Sequence, residues 1–202
     1  MKTSQEKVWD NIAKEWNEFK QTPSETATEF LNNSSGKILD FGSGSGRNLL
    51  KIKKDRKKEF YLVDFSQEML NLAEERSKEL GIKIIAKKAS LEKIDFPDEF
   101  FDSAICVAAI HCIETKEKRK KALKELFRVL KKGAKAEIEV WNKDSPRFRG
   151  EKKERKIKWR DKGERYYYLY DEKELQELLE SVGFKILGTK PHSANLIFIV
   201  EK

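Results

Sequence analysis

Residues 40–46 read DFGSGSG and combine an aspartate with glycine at every second position. The glycines are Gly42, Gly44 and Gly46. Such spacing lets the backbone turn sharply and approach a ligand without a Cβ in the way. Residues 37–41 predict a buried strand before this loop, and residues 46–56 predict a helix after it, whose first amides would face the ligand. Arg47 stands where a dinucleotide-binding G-x-G-x-x-G loop needs its last glycine, so that kind of site is not predicted.

A second carboxylate follows the next predicted strand. Residues 60–63 (FYLV) indicate a buried strand, and Asp64 comes directly after it. A carboxylate in this place can accept hydrogen bonds from both hydroxyls of a ribose. Asp40 can attract a cationic part of the same ligand. The alternative is a generic glycine-rich turn with an unrelated acid at a strand end.

The chain also carries two histidines and two cysteines. His111 follows the fourth predicted strand, at the sheet edge where open α/β sheets bind ligands, so it is a candidate to orient a substrate. The alternative is a packed histidine bonded to the backbone. Cys106 and Cys112 form no Cys-x-x-Cys pair, which argues against a disulfide scaffold and predicts no metal site.

Alternating helix and strand patterns must position these side chains. Helices are predicted at 4–19 and 24–32, forming an N-terminal helical cap over residues 1–33 of a single domain, 1–202. Seven strands are predicted, at 37–41, 60–63, 82–86, 103–108, 136–141, 184–188 and 195–200. This α/β alternation predicts a mostly parallel sheet with helices on both faces. The last two strands are close enough in sequence to form a hairpin, so one strand should be antiparallel.

Charge is concentrated in one segment. The chain has 43 Lys and Arg against 35 Asp and Glu, a net charge of +8, and residues 142–165 carry +6 of it. This basic arm, inserted after the fifth strand, favours an anionic partner such as RNA. Candidate phosphate contacts are Arg147, Arg149, Lys156, Lys158, Arg160 and Arg165, and candidate stacking residues are Tyr166 and Tyr168. The alternative is a solvated lid.

Composition excludes other classes. No apolar run approaches the roughly 20 residues that span a bilayer, and no apolar stretch follows the N-terminal charges as in a secretory signal. The scarcity of cysteine fits a reducing compartment, so a cytoplasmic location is expected.

The spacing D-x-G-x-G-x-G resembles motif I of the class I S-adenosylmethionine-dependent methyltransferases. Residues 89–102 (ASLEKIDFPDEFFD) resemble the superfamily segment G-D-A-E-N-L-P-F-P-D-N-S-F-D, with Ser90 in place of the acid that binds adenine. The resemblance implies a Rossmann-like seven-stranded sheet of order 3-2-1-4-5-7-6, with strand 7 antiparallel, and S-adenosylmethionine as cofactor. The cofactor-binding residues it implies are Asp40, Gly42, Gly44, Gly46, Arg47, Asp64, Phe65, Ala89, Ser90, Leu91 and Val107.

Three further segments are similar to the tRNA wobble-uridine carboxymethyl methyltransferases. They are residues 8–23, residues 109–119 (AIHCIETKEKR) and residues 165–170 (RYYYLY). This resemblance implies esterification of 5-carboxymethyluridine in tRNA, a reaction that needs no general base because a carboxylate is already ionised at neutral pH. His111 and Lys20 are then the candidate catalytic residues, with Lys20 where the family carries an arginine.

The same family works with a small zinc-containing activator subunit, which implies one here. We expect it at the free edge of the third strand, at Ile82 and Ile84. Two other functions stay open: a small-molecule methyltransferase whose arm is an ordinary lid, and an RNA-binding or regulatory relative without catalysis.

Overall fold

The N-terminal part of the chain folds into two helices. The computed structural model describes residues 4–202, so the first three residues of the predicted cap, 1–33, lie outside the described residues. Helix α1 spans Gln5–Phe19 and α2 spans Glu25–Asn33. Ser4 and Ser24 cap them, each accepting a hydrogen bond from a backbone amide three residues on.

Seven strands form one sheet. Its strands are β1 Gly36–Phe41, β2 Lys58–Asp64, β3 Ile84–Lys88, β4 Phe101–Val107, β5 Leu130–Trp141, β8 Lys185–Lys190 and β9 Asn195–Glu201. They lie in the order β3-β2-β1-β4-β5-β9-β8, and β9 runs antiparallel to both neighbours. Strands β8 and β9 are the predicted strands 6 and 7, so the predicted order and the single antiparallel strand are confirmed.

Helices cover both faces of this sheet. Helix α3 (Gln67–Leu80) packs with α2 on one face, while α4 (Lys116–Val129) and α5 (Glu172–Glu180) pack on the other. The apolar residues of each helix recur at helical spacing, which turns one stripe of the helix towards the sheet. The layers bring the carboxyl ends of β1, β2 and β4 together at one edge, where α1 covers them.

Two sequence predictions are wrong in detail. Residues 46–56 contain only a 3-10 turn, Arg47–Leu49, because the following KIKKDRKK run offers one apolar residue to bury and places lysines four residues apart. Strand β3 begins at Ile84, so Ile82 precedes it. Helix α4 ends at Val129, because the chain enters β5 at Leu130.

The basic arm is folded against the rest of the chain. Strands β6 (Glu154–Lys158) and β7 (Glu164–Tyr168) form an antiparallel hairpin that the sequence did not predict. Trp159 in its turn contacts the rings of Trp16 and Phe19 on α1. Among residues 4–202, no helix combines the length and apolarity needed to cross a membrane.

Candidate active site

A cavity of about 350 Å³ opens at the carboxyl ends of β1, β2 and β4. The glycine loop forms its floor, and Trp9 and Trp16 of α1 form its roof. The segment after β4, including Cys112, forms the side that faces the basic arm. Ligands in open α/β sheets bind at this edge, where the strand connections diverge.

The glycine loop requires its glycines for two separate reasons. Gly42 has φ +84°, and a Cβ there would lie 2.2 Å from the Cβ of Ala109, so only glycine fits against the segment after β4. Gly44 has φ +53° and no heavy atom within 4 Å of the place where a Cβ would stand. It lines the cavity, so a ligand can approach the Gly44 backbone without meeting a side chain.

Asp64 locks the loop to the second strand. Its Oδ2 accepts a hydrogen bond from the Gly44 amide at 2.8 Å, and its Oδ1 accepts one from the Ser66 amide at 3.0 Å. Burial raises the pKa of Asp64 to about 6, although these amide bonds favour the ionised form. Since Asp64 also lines the cavity, its carboxylate is placed to accept from ribose hydroxyls.

Asp40 is a buried carboxylate without a partner. It is 4% exposed, and neither side-chain oxygen accepts a well-aligned hydrogen bond from residues 4–202, although the nearby Asn48 side chain favours the ionised form. Burial raises the pKa of Asp40 to about 7. Leaving a buried acceptor unsatisfied is costly, so this acid indicates a missing cationic or donor group. The α-amino group of S-adenosylmethionine is such a group.

The far end of the cavity suits the adenine ring. Leu91 supplies apolar surface there, and Ser90 and Glu92 supply acceptors. The nearest cation to Glu92 is the Lys118 ammonium at 3.8 Å. Together with the bare loop and the two acids, this donor and acceptor set fits S-adenosylmethionine.

The structure gathers most, but not all, of the predicted cofactor residues around the cavity. Those that line it are Gly42, Gly44, Arg47, Asp64, Phe65, Ser90, Leu91 and Val107. Asp40, Gly46 and Ala89 lie behind this lining. Gly46 has a structural reason, since a Cβ there would lie 3.1 Å from that of Ala73. The Ala89 amide donates to the Asp64 carbonyl, which connects β3 to the site.

His111 is buried away from the cavity. It is fully buried, its Nδ1 accepts a hydrogen bond from the Trp141 amide at 3.0 Å, and its ring packs against Trp141 and Tyr167. Burial lowers the pKa of His111 to about 3, so the imidazole is neutral. The packed histidine that the sequence left open as an alternative is the arrangement observed.

Lys20 lies over the aromatic rings of α1, beside the cavity. Its Nζ is 5.2 Å from the centre of the Phe19 ring and 5.7 Å from that of Trp16. Burial lowers the pKa of the Lys20 ammonium. The like charges of Arg47, Arg147 and Arg165 lower this pKa further, so four cations converge here.

Arg165 is the most buried of these cations. It is 5% exposed, and its guanidinium lies 4.8 Å from the ring centres of both Trp16 and Trp159. One amino group donates to the Tyr167 hydroxyl at 2.7 Å, but its buried Nε has no acceptor. No carboxylate among residues 4–202 pairs with it, so the site holds an uncompensated positive charge.

The predicted RNA-binding residues divide into two groups. Exposed side chains are Arg147, Arg149, Lys156, Lys158 and Arg160. Arg160 forms an ion pair with Glu15 at 3.2 Å. Arg165 and Tyr166 are each 5% exposed, because β7 packs them against α1 and α4, and Tyr168 is half-buried. A base cannot stack on Tyr166 in this conformation.

Sequence reasoning missed several residues of the site. Trp9, Trp16, Glu92 and Cys112 all line the cavity. The helical spacing of the tryptophans indicated a buried stripe, and nothing local indicated that the stripe faces a ligand. Arg119 was also missed: it is 3% exposed and stacks 3.9 Å from the centre of the Tyr168 ring.

Comparison with known sequences identifies methyltransferases. A methyltransferase-domain family model matches residues 38–133. A protein of Encephalitozoon cuniculi, whose name assigns it only to the methyltransferases, is 31% identical over 82% of this chain and 78% of its own length. The tRNA (carboxymethyluridine(34)-5-O)-methyltransferase of Xenopus tropicalis is 32% identical over 67% of this chain, but this match covers only 20% of the Xenopus protein. The ubiquinone/menaquinone biosynthesis C-methyltransferase of Vibrio cholerae is 32% identical over 48% of this chain and 38% of its own length.

Solved structures share the fold at low identity. A methyltransferase from Methanosarcina mazei aligns with TM-score 0.73 and 22% identity over 89% of this chain and 98% of its own. The methyltransferase from a complex with the Haloferax volcanii activator Trm112 aligns with TM-score 0.72 and 13% identity over 100% of this chain and 98% of its own. The glycine loop, the two acids and the sheet order agree with these matches. The chain belongs to the class I S-adenosylmethionine-dependent methyltransferases.

Proposed function

We propose that this methyltransferase esterifies a carboxylate on tRNA, that of 5-carboxymethyluridine at the wobble position. The observation that carries the proposal is the buried guanidinium of Arg165, which has no carboxylate partner among the described residues. A buried charge is stable only when it is paired. An anionic acceptor that enters beside Trp16 would provide the missing counterion.

The neighbouring cations favour the same class of acceptor. The Lys20 ammonium feels the positive charges of Arg47 and Arg147 as well as that of Arg165. None of the four forms an ion pair with a carboxylate within the part of the chain that the structure describes. Their mutual repulsion is relieved when a carboxylate or phosphate binds among them.

The proposed methyl transfer requires mainly that the protein position the acceptor carboxylate. When bound, S-adenosylmethionine supplies the electrophilic methyl group. A carboxylate is ionised at neutral pH, so Arg165 and Lys20 need only hold one of its oxygens and leave the other free to attack in line. His111 is neutral and buried, so its role here is to position Tyr167, the hydrogen-bond acceptor of Arg165.

RNA is supported by the exposed face of the arm and by one relative. Lys156 and Lys158 alternate with inward residues along β6 and point to solvent. The name of the Xenopus relative assigns it a tRNA carboxymethyluridine substrate. Phosphates would contact these lysines, while the modified base enters the cavity.

An activator subunit of the Trm112 kind is proposed at the free edge of β3. Among residues 4–202, that strand pairs with β2 alone, and Ile85 on it is 50% exposed. An apolar unpaired edge can accept a partner strand. The fold shared with the Haloferax methyltransferase supports this proposal.

A small anionic molecule is the second candidate acceptor. Trp9 and Trp16 roof the cavity closely enough to suit a free metabolite, and the Vibrio relative is named for quinone biosynthesis. A third possibility, an RNA-binding relative without catalysis, requires that the chain fail to bind the cofactor.

The test is transfer of labelled methyl to bulk tRNA from a strain that lacks this gene, with and without a co-expressed activator, followed by nucleoside mass spectrometry. We expect a methyl ester that mild base removes. A base-stable methyl group would contradict the ester. Methylation of free small acids without tRNA would support the second candidate, and calorimetry that detects no S-adenosylmethionine binding would support the third.

A further inference from the structure

Helix α4 carries positive charge that its contacts within the protein do not explain. Helix α4 (Lys116–Val129) has seven basic and two acidic residues, a net charge of +5. Each of the other four helices is net negative, from −2 for α1, α2 and α3 to −3 for α5. A surface made only for solubility would intersperse the two signs. The segregation of positive charge onto one helix therefore calls for a reason of its own.

Three cations of α4 are explained by internal contacts. Arg119 is buried, and its guanidinium donates to the carbonyls of Ile113 and Glu114. Arg128 pairs with Glu125 at 2.9 Å and with Asp98 at 2.7 Å. Lys118 lies 3.8 Å from Glu92.

Four other lysines have no such contact. Lys116, Lys120, Lys121 and Lys124 form no ion pair with any residue in the range 4–202. Lys116, Lys120 and Lys124 succeed each other at four-residue intervals, so they form one row along the helix, where like charges repel. Lys116 and Lys118 also lie in the first turn, where positive charge opposes the helix dipole. Local stability disfavours this arrangement.

The row begins at the mouth of the active site. Helix α4 starts directly after the segment that walls the cavity, and both Glu114 and Lys118 line that cavity. Its first turns also contact the basic arm, since Arg119 stacks on Tyr168 of β7 and donates to the Tyr166 hydroxyl at 3.4 Å. The lysine row thus starts beside the mouth of the cavity, on a helix whose buried face contacts β7.

We propose that Lys116, Lys120, Lys121 and Lys124 form a second RNA-binding surface that holds the tRNA backbone on the α4 side of the cavity. This inference rests on the proposed RNA substrate and adds where that RNA runs. Its contacts are to phosphates, so they add affinity and orientation without sequence selectivity.

The test compares two triple variants of equal charge change. The first is Lys120→Gln, Lys121→Gln and Lys124→Gln. The matched control is Lys51→Gln, Lys53→Gln and Lys57→Gln, three exposed lysines in the loop before β2. Binding of a fluorescein-labelled tRNA transcript is measured by anisotropy at several salt concentrations. Calorimetry with S-adenosylhomocysteine and thermal unfolding check that each variant keeps its site and its fold.

We expect the α4 triple variant to lower tRNA affinity and to reduce the slope of log K against log salt by about 2–3, since each phosphate contact contributes about 0.7–0.9. The control should keep the wild-type slope. Cofactor binding should be unchanged, and the unfolding midpoint should stay or rise because repulsion in α4 is removed.

The outcomes separate this inference from the proposed function. Equal losses in both triple variants, or none in either while the wild type binds tRNA, would overturn the α4 surface alone. A wild type that binds no tRNA would overturn both. Inorganic polyphosphate that displaces tRNA at equal phosphate concentration would show a general polyanion surface and would also overturn the assignment to RNA.

Discussion

At the scale of single residues, the site depends on side chains whose burial is unfavourable without a ligand. Asp40 is a carboxylate with no hydrogen-bond partner, and Arg165 is a guanidinium with no counterion among the described residues. Each lowers the stability of the free protein and should strengthen binding of a group of opposite charge. Removing the charge at either position should therefore stabilise the free protein and weaken ligand binding.

Asp40→Asn should stabilise the ligand-free protein at pH 8 and weaken cofactor binding. The pKa of Asp40 is raised to about 7 in the folded chain, above its unfolded value. The folded state then holds the proton more tightly, so the contribution of this group to the free energy of unfolding falls as the pH rises from about 4 to about 7, by up to about 1.4 kcal/mol per pH unit. Thermal unfolding at pH 5 and pH 8 should show this difference in the wild type and lose it in the variant.

The pH dependence of cofactor binding should also depend on the Asp40 carboxylate. Affinity should rise with pH, whereas the stability of the free protein falls. Binding of a cationic amino group favours ionised Asp40, so the affinity for S-adenosylhomocysteine should rise from pH 6 to pH 7 and then level off. Asp64, with a pKa raised to about 6, contributes at the lower end of this window. Calorimetry should find that Asp40→Asn removes most of the dependence. An unchanged profile would show that Asp40 does not face the amino group.

Arg165→Gln should lower kcat/KM for the acceptor by about 10- to 100-fold, since a hydrogen bond to a charged group contributes about 1.5–3 kcal/mol. The fold should remain, because the change removes an unpaired charge and keeps a donor for Tyr167. Arg149→Gln, at an exposed position of the arm, is the control for loss of charge. Equal effects of the two variants would argue against an orienting role of Arg165.

Ser90→Asp should tighten cofactor binding severalfold, because a carboxylate accepts from the adenine amino group more strongly than a hydroxyl does. The gain should vanish with S-inosylhomocysteine, which lacks that amino group. Calorimetry of both ligands against both proteins makes the comparison. A gain of equal size with both ligands would show that the tighter binding does not come from a contact with the adenine amino group.

At the scale of elements, α1 and the β6–β7 hairpin behave as one cover over the acceptor side. The Glu15 carboxylate accepts a hydrogen bond from Trp159 Nε1 at 2.7 Å and pairs with Lys162 at 2.6 Å. Gln5 binds the backbone of β7 through both its amide oxygen and its amide nitrogen. Residues about 160 positions apart thus hold the cover together.

Glu15→Gln should loosen the hairpin turn without unfolding the protein. Surface ion pairs contribute little to global stability, so the unfolding midpoint should hardly change. Local opening is more sensitive, and hydrogen exchange at residues 159–163 should speed up. Glu18→Gln, at an exposed position of the same helix, should leave this exchange as it is. Equal rates in all three proteins would mean that the aromatic contacts alone hold the hairpin.

At the scale of the whole molecule, the sheet has two free edges with different neighbours. Strand β3 forms the free edge beside the adenine end of the cavity, and β8 forms the free edge at the other side of the sheet. Each exposes one large aliphatic side chain, Ile85 at 50% and Leu187 at 40%. An activator that adds to β3 could influence the cofactor site through Ser90 and Leu91, which follow that strand.

Ile85→Lys should abolish co-purification with an activator of the Trm112 kind, because a charge on an edge strand opposes pairing with another strand. Leu187→Lys should leave the complex intact. Both positions are exposed, so neither change should lower the unfolding midpoint of the isolated chain by more than a few degrees. Loss of the complex in the Leu187 variant alone would move the interface to β8.

The amino-acid sequence by itself determined the cofactor loop and the alternation of strands and helices, whereas the order of the sheet was implied by the resemblance to the methyltransferases. The loop and the alternation depend on local spacing: alternate glycines after Asp40, and apolar runs that alternate with helical stripes. Each can be read from a short window because backbone geometry and local burial decide it.

Only the tertiary structure decided the acceptor side. Whether Arg165 and Tyr166 face RNA or the interior depends on how β7 packs against α1, and His111 is buried because Trp141 and Tyr167 enclose it. A basic, charge-rich segment predicts exposure. Here, contacts between residues far apart in the chain outweigh that local preference and pack part of the arm against α1, beside the cavity.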